Sequence, residues 1–398
     1  MRHIPMLSLR LEYEYMKDEI DSAIRRCLEH QHWIFGPEVG QLEDTISSYL
    51  GVKHCIGVSS GTEALVLSLR ALSIKTKGKE YFDRSDGIIT TPLTFTATAD
   101  AILRAGATPV FIDIDPDTYN IDPVKIREYL NSHDGGSASG NVVGIIPVHL
   151  YGRPCDMDEI MGIAQTYNLF VVEDAAQAFG GMWDNKKLGS LGTCGAFSFF
   201  PSKNLGGFGD GGMVSTNDDE IADIIRMLLK HGGTDKYNAK HIGYNARIDT
   251  LQAAVVLAKF KYIDTLNEKR RAIAQLYNAA LYDLSCLTLS AAKLSAENGD
   301  YHVYNQYTIM VKDGKRDQLQ AYLKKNNISS MVYYPRPLHR MEVFKNFAAE
   351  AFSIPIHAED ACDSVLSLPI EPLQRQEDTL YIAEQARKFD TYISTINP

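Results

Sequence analysis

Through roughly the first two-thirds of the chain, short apolar runs bounded by glycine, proline or polar residues alternate with stretches of helical periodicity. The runs His54–Val58, Gly87–Thr91, Pro109–Asp113, Val142–His149, Leu169–Glu173, Cys194–Phe199 and Gly212–Thr216 predict seven strands. Helices are predicted between them at Thr62–Ala71, Ala97–Ala105, Pro123–Asn131, Met157–Tyr167 and Asp219–Lys230. Strand–helix–strand alternation implies a mostly parallel sheet covered by helices on both faces. Ligands of such sheets bind beyond the carboxyl ends of the strands.

The pattern changes near residue 250. From Asp249 to Leu284 the chain reads as one long helix with alternating charges, followed by a strand at Tyr304–Val311, a helix at Arg316–Asn326, a strand at Ser329–Tyr333 and a final helix near Leu380–Ile393. This divides the chain into a large α/β domain, residues 1–250, and a linking helix with a small α+β domain, residues 251–398. The polar stretches Thr76–Asp86 and His133–Asn141 read as surface loops.

Composition narrows the class. The 398 residues carry 40 basic and 50 acidic side chains, a formal charge of -10, and are 45% hydrophobic. That balance is ordinary for a soluble globular protein and lacks the basic footprint of nucleic-acid binding. Six cysteines are scattered with no CxxC pair and no histidine cluster. They read as buried free thiols, and no metal site is expected. Without a signal-peptide pattern or a membrane-spanning stretch, the expectation is a cytoplasmic protein with no membrane partner.

Four segments carry chemistry. In Ser59-Ser60-Gly61-Thr62-Glu63 small hydroxyl residues open a helix; the N-terminal amides of a helix can hold a phosphate, although Ser or Thr there also serves as an ordinary N-cap. In Val171-Val172-Glu173-Asp174-Ala175-Ala176-Gln177 an apolar strand ends at two acids. A carboxylate at that edge can keep a heterocycle nitrogen protonated, or simply cap a helix. In Phe197-Ser198-Phe199-Phe200-Pro201-Ser202-Lys203-Asn204-Leu205-Gly206 a lysine follows an aromatic strand inside a glycine-rich turn. Desolvation there would lower its pKa and make it an imine-forming nucleophile. Finally, Gly243-Tyr244-Asn245-Ala246-Arg247 precedes the long helix; alone, Asn245 could shape a turn and Arg247 could be a surface cation.

Taken together, SSGTEAL, TPLTFTAT, VVEDAAQA, FSFFPSKNLGGFGDGG and GYNARIDTLQAA resemble the DegT/DnrJ/EryC1/StrS aminotransferase family, in order and over nearly the whole chain. The resemblance implies the fold-type I architecture of pyridoxal-phosphate-dependent transferases, with a mostly parallel seven-stranded sheet. Lys203 matches the lysine that holds the cofactor as a Schiff base, and Asp174 the acid paired with the pyridine nitrogen. Gln177 matches a residue near the ring hydroxyl, and Phe95 the aromatic residue against the ring face. Gly61, Thr62 and Ser198 match the phosphate cup. Asn245 matches a residue that reaches the phosphate from the neighbouring subunit, which implies a homodimer with shared sites. His149, Arg247, Tyr334 and His339 resemble elements at the substrate edge.

What the resemblance implies about activity is a ping-pong transfer of an amino group from L-glutamate to a nucleotide-linked keto-sugar, UDP- or dTDP-linked and ketonic at C3. Freed Lys203 is the natural proton-moving base. Amination of a cyclitol or carbocycle, and a non-catalytic regulator that only binds the cofactor, stand as the alternatives, because a fold does not fix a substrate.

Overall fold

The structure, a computed structural model, describes residues 3–133, 141–235, 237–289, 301–348 and 355–396. Except for its end residues, the loop expected at His133–Asn141 lies outside them. The first strands are β1 (His54–Val58), β2 (Asp86–Thr90), β3 (Thr108–Phe111), β4 (Asn141–Ile145) and β5 (Phe170–Asp174). A small hairpin of β6 (Met182–Trp183) and β7 (Lys186–Lys187) precedes β8 (Cys194–Ser198) and β9 (Gly212–Thr216). Seven of these form one sheet in the order β1-β9-β8-β5-β4-β2-β3. Only β9 runs against its neighbours. The carboxyl ends of the other six therefore open on one edge, and β9 starts from that edge.

Both faces of the sheet are covered, which is why strands such as β2 and β9 are buried at every residue. On one face lies the helix Gly61–Lys77, packed against Ala97–Arg104 and Asp219–Leu228. It begins where the Ser60 hydroxyl accepts the Glu63 amide and ends where Gly78 turns to φ +65°. Leu65, Val66, Leu69 and Leu72 from it are fully buried, each contributing about 1.5–3 kcal/mol of transfer free energy. The other face takes Pro37–Leu50 and Thr250–Phe260 at one end, Pro123–His133 and Met157–Tyr167 at the other.

Strand positions agree with the periodicity to within a few residues, with one early end. Residues expected as a strand to His149 leave regular pairing after Ile145, because Pro147 has no amide to donate, although its carbonyl still accepts the Asp174 amide. The single long helix expected from Asp249 is in fact two, Thr250–Phe260 and Ile263–Leu281. They part at Tyr262, whose backbone tightens (φ -107°, ψ -4°) as its hydroxyl donates to Glu19 at 2.5 Å. The strand expected at Ser329–Tyr333 is reduced to one bridge between Met331 and Ser367.

The C-terminal part is a three-stranded antiparallel sheet of β10 (Leu287–Leu289), β11 (Tyr307–Val311) and β12 (Val365–Leu368), in that order. Helices Ile263–Leu281, Arg316–Lys325 and Gln376–Ile396 cover it. The boundary expected at residue 250 cuts across packing at both ends. Ile4 pairs with Ile328 and lies in the small core, whereas Thr250–Phe260 packs on Lys17–His30 and Pro37–Leu50 in the large part. Those N-terminal helices escaped the periodicity reading, although Pro37 followed by Val39, Leu42, Ile46 and Leu50 carries the spacing of a buried helix face.

A buried ion pair, Lys259 Nζ to Glu12 Oε1 at 2.7 Å, ties the N-terminal helix Leu9–Tyr15 to Thr250–Phe260. Replacing Glu12 by Leu leaves the lysine charge uncompensated and is expected to cost about 3–5 kcal/mol. Adding Lys259→Met should recover most of that loss, as thermal denaturation followed by circular dichroism will measure.

Candidate active site

The residues singled out from the sequence converge because of strand direction. Five loops that follow β1, β2, β4, β5 and β8 meet beyond the carboxyl edge around one cavity of about 500 Å³. At one end it is lined by Ser60, Gly61 and Thr62, at the N-terminus of a 17-residue helix, and by Ser198 at the end of β8. The approach is close: a Cβ on Gly61 would fall 2.7 Å from the Ser198 Cβ, and one on Gly212 2.5 Å from the Ser60 carbonyl. Side chains are excluded there, so backbone lies against whatever occupies this end.

Asp174, the last residue of β5, lines the same cavity. Its Oδ2 accepts the Thr98 hydroxyl at 2.8 Å and its Oδ1 the Ala176 amide at 3.2 Å. Burial pushes its carboxyl above the usual range, while these two donors and the nearby Lys203 oppose that rise. Glu173 turns the other way, as strand alternation demands. It is fully buried and accepts from His149 Nε2 (3.1 Å) and the amides of Gly189, Leu191 and Gly192 (2.7–2.8 Å). Of the two acids, one faces the cavity and the other anchors the loop behind it.

Lys203 enters from the turn after β8. Desolvation lowers its ammonium to about 8, and Asp174 opposes the shift. Among the described residues no hydrogen bond or ion pair reaches its Nζ. The turn is held from outside: Asn204 Nδ2 donates to Asn267 Oδ1 (2.6 Å) and the Val303 carbonyl (3.0 Å), and the Phe208 amide donates to Gln252 Oε1 (2.8 Å). Gln177 accepts the Tyr151 amide (2.7 Å) and donates to the Tyr334 hydroxyl (3.0 Å). Phe95, 55% exposed, stands across the mouth with its ring 6.2 Å from that of Tyr334.

Four expected residues lie elsewhere. His149 is fully buried and does not reach the cavity; Nδ1 accepts the Cys155 amide and Nε2 donates to Glu173, so it braces the strand that carries Asp174. His339 is likewise buried, bonded to Glu359 at 2.8 Å. Neither histidine lines the cavity of its own chain: each imidazole is bonded to a carboxylate inside the fold. Asn245 and Arg247 are bonded to each other, beside β1, and neither lines the cavity of its own chain.

Two features escaped the sequence reading. Thr98, the last letter of TPLTFTAT, is the side chain that fixes Asp174. Arg70, fully buried on the helix Gly61–Lys77, donates to the Tyr244 hydroxyl (2.6 Å), the Ile242 carbonyl (3.1 Å) and Glu80 (2.8 Å). It thereby fastens the segment bearing Asn245 and Arg247 to the helix that bounds the cavity. An arginine on a helix otherwise rich in leucine and alanine was the available signal.

With its amine near 8, Lys203 is expected to react with an amine-acylating reagent at a rate that climbs through about pH 8 and levels off above it. Ordinary surface lysines keep gaining reactivity to about pH 10.4. Peptide mapping of protein freed of small molecules and labelled between pH 6 and pH 10 measures both profiles, and a Lys203 profile that still climbs at pH 10 would contradict the desolvated site.

Comparison with known proteins places this geometry in a family. The family model of the DegT/DnrJ/EryC1/StrS aminotransferases matches residues 14–387. The chain is 41% identical to a Geobacillus stearothermophilus protein named pleiotropic regulatory protein, over 97% of this chain and 98% of that one. It is 39% identical, over 97% of both chains, to UDP-N-acetyl-3-dehydro-alpha-D-glucosamine 3-aminotransferase of Acidithiobacillus ferrooxidans. It is also 39% identical to dTDP-3-amino-3,6-dideoxy-alpha-D-galactopyranose transaminase of Aneurinibacillus thermoaerophilus, over 97% and 99%. Among solved structures, a DegT DnrJ EryC1 StrS aminotransferase from Brucella abortus superposes with a TM-score of 0.89 at 34% identity, covering 98% of this chain and all of that one. A Bacillus subtilis structure with bound cofactor PMP gives 0.85 at 29%, covering 98% and 86%. Family membership brings pyridoxal phosphate as the cofactor. The sheet order, the lysine and aspartate that line one cavity and the family match over residues 14–387 together make this chain a member of the DegT/DnrJ/EryC1/StrS aminotransferase family.

Proposed function

We propose that this chain moves an amino group from L-glutamate to C3 of a nucleotide-diphosphate-linked keto-hexose, in two half-reactions at one site in the cytoplasm. The observation that carries this reading is that the desolvated Lys203 amine and Asp174 line one cavity together with a helix N-terminus. The residues fit pyridoxal phosphate. Gly61 and Thr62 amides with the Ser198 hydroxyl suit a phosphate dianion, Asp174 suits a protonated ring nitrogen, and Phe95 offers an aromatic face. When bound, the cofactor supplies an aldehyde to carry the amine and a cationic ring to absorb carbanion charge.

The chain's own groups do the rest. Thr98 and the Ala176 amide favour the charged form of Asp174, so the carboxylate can balance a cationic nitrogen in a dry site. Lys203 Nζ, unprotonated in a larger fraction than an ordinary lysine near neutral pH, takes the proton from the α-carbon of the donor. Burial keeps the Tyr334 phenol protonated, and because its oxygen accepts from Gln177, its own proton is free for a substrate oxygen. Asn245 and Arg247, turned away from their own cavity, would serve the site of a second copy, Asn245 at the phosphate and Arg247 at the substrate. The names of the Acidithiobacillus and Aneurinibacillus relatives support a UDP- or dTDP-linked sugar and amination at C3. Distant binding of the diphosphate would fix which ring carbon meets the amine. The regulatory name of the Geobacillus relative favours a second reading, a binder without turnover.

Matched 3-keto and 4-keto sugar nucleotides, each supplied with glutamate, test the reaction, with NMR of the product locating the new amine. Amination at C3 is expected, with Lys203→Ala slower by at least about 100-fold; amination at C4 would overturn the regiochemistry, and no turnover with either sugar would favour the binder. Mixing inactive Lys203→Ala chains with impaired Asn245→Ala chains should restore one intact site per mixed dimer. Activity that never exceeds either parent would refute the shared site.

A further inference from the structure

Three side chains of different ligand chemistry meet at a place remote in sequence from the catalytic motifs. Cys27 and His30 lie one turn apart on the helix Lys17–His30, and Glu38 is the second residue of the helix Pro37–Leu50. One ligand atom from each lies within 4.8 Å of the other two. Cys27 is wholly buried, Glu38 is 6% exposed, and His30 is partly open. His30 Nε2 stands 3.2 Å from Glu38 Oε1, while the second oxygen, Oε2, is buried with no hydrogen-bond partner among the described residues. An unsatisfied buried carboxylate oxygen costs about 1–3 kcal/mol or more, so it needs a reason. Beside it, Glu38 also lines a cavity of about 500 Å³ with Asp18, Ser22, Arg26 and Gln41, which gives an entry path and room for water.

We propose that Cys27, His30 and Glu38 form a site for a Zn2+-like divalent ion, with water as the fourth ligand. Thiolate, imidazole and carboxylate together suit zinc, whereas calcium and magnesium take oxygen. Two ligand anions also balance the double charge of the ion. Without metal, His30 and Glu38 are hydrogen-bonded to each other and the Cys27 thiol lies beside them. Burial, and then the Glu38 charge, hold the Cys27 thiol above its usual range, so it keeps its proton. Binding releases that proton to solvent. His30 Nδ1 now accepts the His32 amide at 3.0 Å, which puts the ring proton on Nε2; coordination through Nε2 moves that proton to Nδ1, and the His32 bond is given up. The ion would join both ends of the segment 31–36, which exposes Trp33, Ile34 and Phe35 and meets the far chain where Ile34 pairs with Asp249. The site stands independently of the amino-group transfer proposed above.

Holoenzyme stripped of metal by chelation, with its cofactor retained, is titrated with Co2+ and then with Zn2+. One equivalent of Co2+ per chain is expected to give the red visible bands of tetrahedral thiolate coordination, clear of the cofactor's absorption, and Zn2+ to displace them. Cys27→Ser, which leaves the His30–Glu38 hydrogen bond in place, and Glu38→Gln should each weaken binding by more than about 100-fold, beyond the loss expected for an outer-shell partner. Uptake without those bands, no stoichiometric uptake by the parent protein, or undiminished uptake by Cys27→Ser would each overturn the site.

Discussion

A buried amine and a buried carboxylate, Lys203 and Asp174, line one cavity, and the rest of the site is arranged around the opposed effects of burial on that pair. Desolvation disfavours the charged form of both groups, so burial alone would neutralise Lys203 and Asp174 together. The fold separates their fates by where it places donors. Asp174 receives the Thr98 hydroxyl and the Ala176 amide; Lys203 Nζ receives no partner among the described residues and opens to the cavity. Support for Lys203 goes to its backbone turn instead, through Asn204 and Gln252.

Sheet direction brings these groups together. With six of seven strands pointing the same way, residues far apart in the chain emerge on one edge, and the reversed β9 lets Gly212 pass against Ser60. Behind the edge lies a layer that never touches the cavity. Glu173 collects three loop amides and the His149 ring, so the strand that ends in Asp174 is pinned from its far side. Arg70 does the corresponding work for the segment of Asn245 and Arg247. Buried charges of this kind are costly unless fully bonded, and both are heavily bonded.

The C-terminal part completes the wall. Tyr333 and Tyr334 arrive from a segment joined to the small sheet by the single bridge Met331–Ser367, and Tyr334 is joined to Gln177 of the large part. The N-terminal residues run in the opposite sense, from the small core at Ile4 to the helices flanking Thr250–Phe260. The chain therefore crosses between the two parts at both ends, and both parts contribute to the lining of the cavity.

Local pattern was enough to determine the strands and most helices of the first two-thirds and to single out Lys203 and Asp174, and the family resemblance added Gln177, Gly61 and Thr62; all five line the cavity. The elements, Lys203 and Asp174 depend on short-range constraints: apolar runs, helix starts and a glycine-rich turn. What the pattern left undecided depended on partners distant in sequence. The local pattern did not show that His149 bonds Glu173 or His339 bonds Glu359, and the helix from Asp249 looked continuous until Tyr262 turned to Glu19. Cys27 and Glu38 carry no motif; a helix end and a six-residue connection bring them together. A sequence fixes which groups the backbone can present, because alternation and helical pitch are local, whereas the partner a buried polar group finds is decided only when remote segments pack, since desolvation then compels each one to be satisfied.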